Sequence, residues 1–221
     1  VAAMYKAKEE ALSYLSDNEI VKKFGVISDS IWGFAELGMQ EFRSSALLIR
    51  TLEAEGFRVK KGLAGMPTCF VAEWGSGKPV IGILGEYDAL PMISQKALVP
   101  VQNPLVAGGP GHGCGHNMMG TAASAAIIAL KKSMEKNKIP GTIRFYGSPA
   151  EETITSRPFM VREGLFSDVD ALIDNHASSN LSTSYGVEGN AIISVVFTFS
   201  GKTAHAAGAP WAGRSALDAV E

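Results

Sequence analysis

The run Val80-Ile81-Gly82-Ile83-Leu84 restricts the fold more than any other feature of the chain. It has no polar side chain and is bounded by Pro79 and Gly85, so it is too short for a helix and too uniformly apolar for a strand with one wet face. A strand buried on both faces needs a layer on each side of its sheet. Helices that connect parallel strands supply such layers.

The flanking sequence offers those helices. Ala2–Ser16 carries Met4, Ala7, Ala11, Leu12 and Leu15 at helical spacing. Asp17 or Asn18 is suited to cap a second helix running to about Leu37. A third is expected from about Glu41 to Glu55, closed by Gly56. Phe57–Lys61, Thr68–Trp74 and Pro79–Leu84 then read as strands. After the Gly/Pro-rich loop Pro100–Gly115 come an Ala-rich helix, Asn117–Asn137, a strand, Thr142–Tyr146, a short helix, Pro158–Glu163, and a strand, Ala171–Asp174. This alternation predicts an α/β fold over residues 1–186, with a mixed, mostly parallel sheet flanked by helices. From about residue 187 the pattern changes. Ala191–Phe199 alternates as a long strand and Ser215–Glu221 starts a helix, so residues 187–221 are expected to begin a smaller α+β domain that is cut short.

Charge and composition narrow the function. Twenty Lys and Arg against 22 Asp and Glu, with no basic run, argue against nucleic-acid binding. The longest apolar stretch, Thr121–Leu130, is about half of what a membrane span requires. Two cysteines, Cys69 and Cys114, cannot form a disulfide framework, and a reducing cytoplasm is the simplest compartment.

Four segments carry chemistry. In Gly111-His112-Gly113-Cys114-Gly115-His116-Asn117 a thiol and an imidazole two residues apart can turn toward one point, because the glycines let the backbone fold tightly. The loop runs into a helix, with Asn117 as a candidate cap. The helix N-terminus is expected to favour the thiolate of Cys114. Glu151-Glu152, after the strand Thr142–Tyr146, pairs two carboxylates: one can hold a cation and the other handle protons. His176 and Asp88 each follow a strand, and Asp88 could bind a metal or orient a metal-binding histidine. A parallel sheet would gather most of these segments at one edge. A mixed set of thiolate, imidazole and carboxylate suits zinc, manganese or cobalt rather than calcium. Taken one at a time, each segment also has a plain structural reading as a turn, a cap or a solvated helix start.

In order along the chain, Gly85-Glu-Tyr-Asp-Ala-Leu-Pro91, His112-Gly-Cys-Gly-His-Asn117, Pro149-Ala-Glu-Glu152, His176 and Ser200-Gly-Lys-Thr-Ala-His205-Ala-Ala resemble the two-metal amidohydrolase family of aminoacylases, glutamate carboxypeptidases and auxin-conjugate hydrolases. The resemblance implies a zinc-peptidase-like catalytic domain followed by a lid or dimerisation domain, and two divalent transition-metal ions, zinc or manganese, with cobalt an option. It makes Cys114, His116, Glu152 and His176 the metal ligands, Cys114 bridging. Glu151 becomes the base that activates metal-bound water and Asp88 a residue behind the ligands. His205 stabilises the oxyanion from the neighbouring subunit of a homodimer formed through the lid domain. The implied substrate is an N-acyl amino acid, with a glutamate conjugate such as p-aminobenzoyl-glutamate the most specific form. A dipeptidase or N-acyl-amino-acid deacylase, a non-catalytic metal- or partner-binding module, and a cysteine hydrolase using Cys114 are the alternatives. Asn117 stands where many relatives carry Asp. A last histidine ligand is expected to lie outside this chain, so the chain reads as an N-terminal portion.

Overall fold

The computed structural model describes residues 2–180, 182–183, 185–186, 193 and 195–221. The chain divides into two compact units, Val1–Ser179 and Asn180–Glu221. The first is built on a five-stranded mixed sheet: β1 (Arg58–Lys61), β2 (Phe70–Ser76), β3 (Val80–Gly85), β4 (Gly141–Gly147) and β5 (Ala171–Ile173). Their order is β1-β2-β4-β3-β5. β2 is antiparallel to both β1 and β4, whereas β3 is parallel to β4 and to β5, with Ile83 opposite Phe145 on one side and Ile173 on the other. The apolar run thus lies between two strands, as its composition requires. β2 and β3 follow each other in sequence but are not neighbours, because β4 inserts between them.

Four helices cover one face of the sheet: α1 (Ala2–Leu15), α2 (Asn18–Phe34), α3 (Phe42–Ala54) and α4 (His116–Asn137). Asp17 caps α2, its Oδ1 accepting from the amides of Glu19 at 2.9 Å and Ile20 at 3.3 Å. α2 stops at Phe34, short of the expected Leu37, because Ala35 turns into the left-handed region at φ 44°. Phe24, Ile27 and Ile31 form its buried stripe and pack with Leu48 and Leu52 of α3, Ile127 and Ile128 of α4, and Phe70 and Phe145 of the sheet. Full burial of such a side chain contributes roughly 1.5–3 kcal/mol. Met66, Cys69, Leu84, Tyr146 and Met160 form a second cluster, Met160 coming from α6 (Arg157–Arg162), which follows the one-turn α5 (Glu151–Ile154).

In the second unit Lys202 and Arg214 exchange backbone hydrogen bonds of 2.9 Å, and Ser215 caps α7 (Ala216–Val220) by accepting from the Asp218 amide at 3.2 Å. Of the expected strand Ala191–Phe199, residues 191, 192 and 194 lie outside the described residues, and 193 and 195–199 form no strand. No described segment lies alongside them to complete a ladder, and without a ladder alternation alone does not make a strand. Residue 187, where the second domain was expected to begin, also lies outside the described residues. Among the described residues no helix is long and apolar enough to cross a membrane.

Candidate metal centre

β3, β4 and β5 run parallel, so their carboxyl ends share one edge, the edge at which open α/β sheets bind ligands. Glu86-Tyr87-Asp88 follows β3, Ala150-Glu151-Glu152 follows β4 and Asp174-Asn175-His176 follows β5. The long loop after β3 is tied back when Leu90 and Gly111 exchange backbone hydrogen bonds of 3.0 Å. It then turns into α4 at Gly115, whose φ of 83° favours glycine. Gly115 is therefore the N-cap of α4, and His116 its first residue. Asn117 does not cap the helix as expected. It lies inside the first turn and donates from Nδ2 to Ser28 Oγ at 3.1 Å.

His116 is fully buried. Its Nδ1 lies 2.9 Å from Asp88 Oδ1 and 3.1 Å from the Asp88 carbonyl, so Nδ1–H donates there. Nε2 then faces Glu86 Oε2 at 3.0 Å and Glu152 Oε1 at 3.9 Å. Among the described residues none of these three buried atoms has a hydrogen-bond partner. The other oxygen of Asp88 accepts from the Glu152 amide at 3.0 Å, so one carboxylate sets both the imidazole and the turn that bears Glu152. Cys114 Sγ lies 3.3 Å from His176 Nε2. Cys114, His116 and His176 offer ligand atoms that all lie within 4.8 Å of one another, and so do Glu86, His116 and Glu151.

Unpartnered buried acceptors that face one another need a cation or a proton between them. Burial opposes a charge on His116, but the hydrogen bond to Asp88 and the charges of Asp88, Cys114 and Glu152 push its pKa up to about 9. The site thus demands positive charge at the place where a metal would bind. Burial raises the pKa of the Cys114 thiol, with Glu152 adding to the shift and His116 opposing it, the reverse of the direction expected from the helix N-terminus. A metal ion removes such a proton on binding. Burial also raises Glu151, and repulsion from Glu152 adds to the shift. The donor set fits a borderline transition metal.

Six of the seven residues selected from the sequence, Asp88, Cys114, His116, Glu151, Glu152 and His176, follow or adjoin these strand ends. His205 belongs to the second unit, where it is exposed and its Nδ1 accepts from the amides of Gly208 at 2.9 Å and Ala207 at 3.2 Å. His112 places Nε2 3.0 Å from the Ile31 carbonyl and so anchors its loop to α2. Three residues were missed. Glu86 is buried, and its position two before Asp88 puts it on the same side of an extended segment, a signal that was available. Arg157 donates from Nη2 to Glu86 Oε1, and its Nη1 lies 3.0 Å from Asp174 Oδ2. Glu41, fully buried, accepts from the Ala150 amide at 2.7 Å and from Thr68 Oγ1 at 2.8 Å. Ala150 has a φ of 53°, so Glu41 secures the turn from which Glu151 and Glu152 project.

Residues 82–213 match the family described as peptidase family M20/M25/M40. Over 199 residues the chain is 45% identical to a subunit of the p-aminobenzoyl-glutamate hydrolase of Escherichia coli K12, covering 90% of this chain and 41% of that protein. It is 30% identical to the Xaa-Arg dipeptidase of Mus musculus over 215 residues, covering 92% of this chain and 46% of the other. The chain therefore spans less than half the length of these relatives. Among solved structures it resembles the Bacillus subtilis YXEP protein, a dinuclear metal-binding peptidase of the M20 family, with a TM-score of 0.61 and 26% identity over 75% of this chain and 45% of that one.

Proposed function

Because the chain belongs to peptidase family M20/M25/M40, we propose that it is the metal-binding part of an amidohydrolase that cleaves the amide between an acyl or aryl group and an amino acid. The observation that carries this reading is the set of unpartnered buried donors and acceptors turned toward one another at the carboxyl edge of the sheet. A substrate like p-aminobenzoyl-glutamate is the most specific form, supported by the 45% identical relative of that name. The 30% identity to an Xaa-Arg dipeptidase supports a dipeptide as the second reading.

In this reading Cys114, His116, Glu152 and His176 would hold two divalent ions, zinc or manganese. Bound metal supplies Lewis acidity that polarises the scissile carbonyl and brings the pKa of water toward ~7. Glu151 takes the proton of the attacking water and returns it to the leaving amine. A pKa above the ordinary carboxylate range suits both transfers. Asp88 fixes the tautomer of His116 and so keeps Nε2 available to the metal. His205 donates to the developing oxyanion from the partner protomer of a homodimer formed through residues 187–221, a contribution of the kind worth ~3 kcal/mol in the transition state. The free cysteines Cys69 and Cys114 fit a cytoplasmic protein.

Release of p-aminobenzoate from p-aminobenzoyl-glutamate by the metal-loaded protein tests the reading. Glu151→Gln is expected to lower kcat by roughly 10²–10⁴-fold with metal content unchanged. Turnover that survives the substitution would exclude Glu151 as the base. Metal binding without any turnover would favour a non-catalytic module.

A further inference from the structure

We propose that Glu86 is itself a metal ligand, on the His116 side of the centre, and that Arg157 is the positioning residue that aims it. The proposal rests on the metallohydrolase reading and adds to its ligand set a carboxylate and the cation behind it.

The side chain of Glu86 is 3% exposed and has an Arg partner, which by itself would describe an ordinary buried ion pair. The way the two oxygens are used argues otherwise. A guanidinium and a carboxylate paired for their own sake often meet through two parallel hydrogen bonds, as Arg144 and Asp168 do. Arg157 engages only Oε1. Oε2 is turned away from it, 3.0 Å from His116 Nε2, and both atoms are buried and without a hydrogen-bond partner among the described residues. His116 Nδ1 is already committed to Asp88. If the imidazole is neutral, Nε2 presents a lone pair to a carboxylate lone pair. If it is protonated, the two form an ion pair at 3.0 Å whose geometry still makes no hydrogen bond. A cation beside both atoms satisfies both. Adjacent ligands each about 2.1 Å from one ion lie about 3.4 Å apart at a tetrahedral angle and about 3.0 Å apart at an octahedral one, and the observed separation of 3.0 Å falls at the octahedral end.

Arg157 explains how the carboxylate is held. One guanidinium nitrogen binds Glu86, after β3, and another lies 3.0 Å from Asp174, after β5 and two residues before His176. The clamp joins two strand ends of the site. It also offsets the charge of a carboxylate that would otherwise sit buried beside Asp88 and Glu152.

The test uses the whole chain, stripped with a chelator and titrated with Co²⁺, whose visible absorption reports ligand type and geometry. Wild type is expected to take up two ions. Glu86→Gln keeps the side-chain shape and the contact to Arg157, yet it is expected to weaken uptake of one ion by at least ~10-fold and to change its spectrum. Arg157→Ala should change the same band, and Arg157→Lys should restore part of it, which a merely structural loss would not do. If Glu86→Gln fails to fold by circular dichroism, Glu86→Asp keeps the charge but withdraws the oxygen, and the same spectral change is expected. Wild-type affinity and spectrum in the folded Glu86 variant would reduce Glu86 to a partner of Arg157 and leave the metal centre standing. Failure of the wild type to bind Co²⁺ would overturn both the centre and this addition to it.

Discussion

Glu41 shows how a single buried group can serve a site it does not touch. Its carboxylate accepts from Thr68 and from the amide of Ala150, the residue before Glu151. Burial raises its pKa above the ordinary 4.5, although those hydrogen bonds oppose the shift. The unfolded chain releases this proton near 4.5, the folded protein only at higher pH. The stability this group contributes is therefore fully present below about pH 4.5 and is lost as pH rises through the raised value. Gln has no such proton. Glu41→Gln is accordingly predicted to gain stability relative to wild type as pH rises from about 4.5 toward neutrality, measured by urea unfolding in the presence of chelator. A difference that stays constant with pH would contradict the burial account. At this scale the sequence offered as candidates the residues that lie in motifs: Cys114 and His116 on a glycine loop, the Glu151-Glu152 pair, and Asp88 and His176 after strands. It concealed those whose role depends on distant partners. Glu41 meets Ala150 across 109 positions and Arg157 meets Glu86 across 71, and no local pattern announces either pairing.

At the scale of elements, the junction of α4 with β3 sets the site. A Cβ on Gly120 would lie 2.4 Å from the Glu86 carbonyl oxygen, so the helix reaches the strand end only because that position has no side chain. Ala is the better helix former by about 1 kcal/mol, yet overpacking against backbone typically costs 1–3 kcal/mol. The net is about 0–2 kcal/mol, and because the 2.4 Å contact is to backbone, Gly120→Ala is predicted to fall in the upper half, destabilising by roughly 1–2 kcal/mol in urea unfolding, and to weaken metal binding because Glu86 and His116 flank the contact. Stability equal to or above wild type would show that α4 is free to shift. Periodicity located α2, α3 and α4 to within a few residues, since each buries a regular stripe, and the Asp17 cap fixed the start of α2. Strand order was not legible. Insertion of β4 between β2 and β3 is decided by packing on both faces, and neither strand's composition encodes it. The described part of the expected strand Ala191–Phe199, residues 193 and 195–199, had the right alternation, but a strand also needs a neighbour, and none lies beside it among the described residues.

On the scale of the whole molecule, the first unit draws its candidate ligands from segments that follow three strands and a glycine loop. No one of these segments holds an ion alone, so metal binding and folding of this unit are expected to be coupled. The near-neutral charge of the chain conceals a local excess of carboxylates, Glu86, Asp88, Glu151 and Glu152, gathered at one edge. That concentration, with the raised pKa of His116 beside it, makes a bound cation the simplest resolution of the site's electrostatics.

The most direct test of this account is the metal content per chain, by elemental analysis, of wild type and Cys114→Ala purified without chelator. The account predicts about two transition-metal ions per wild-type chain and loss of metal in the variant. Metal-free wild type, or equal content in the two proteins, would contradict it.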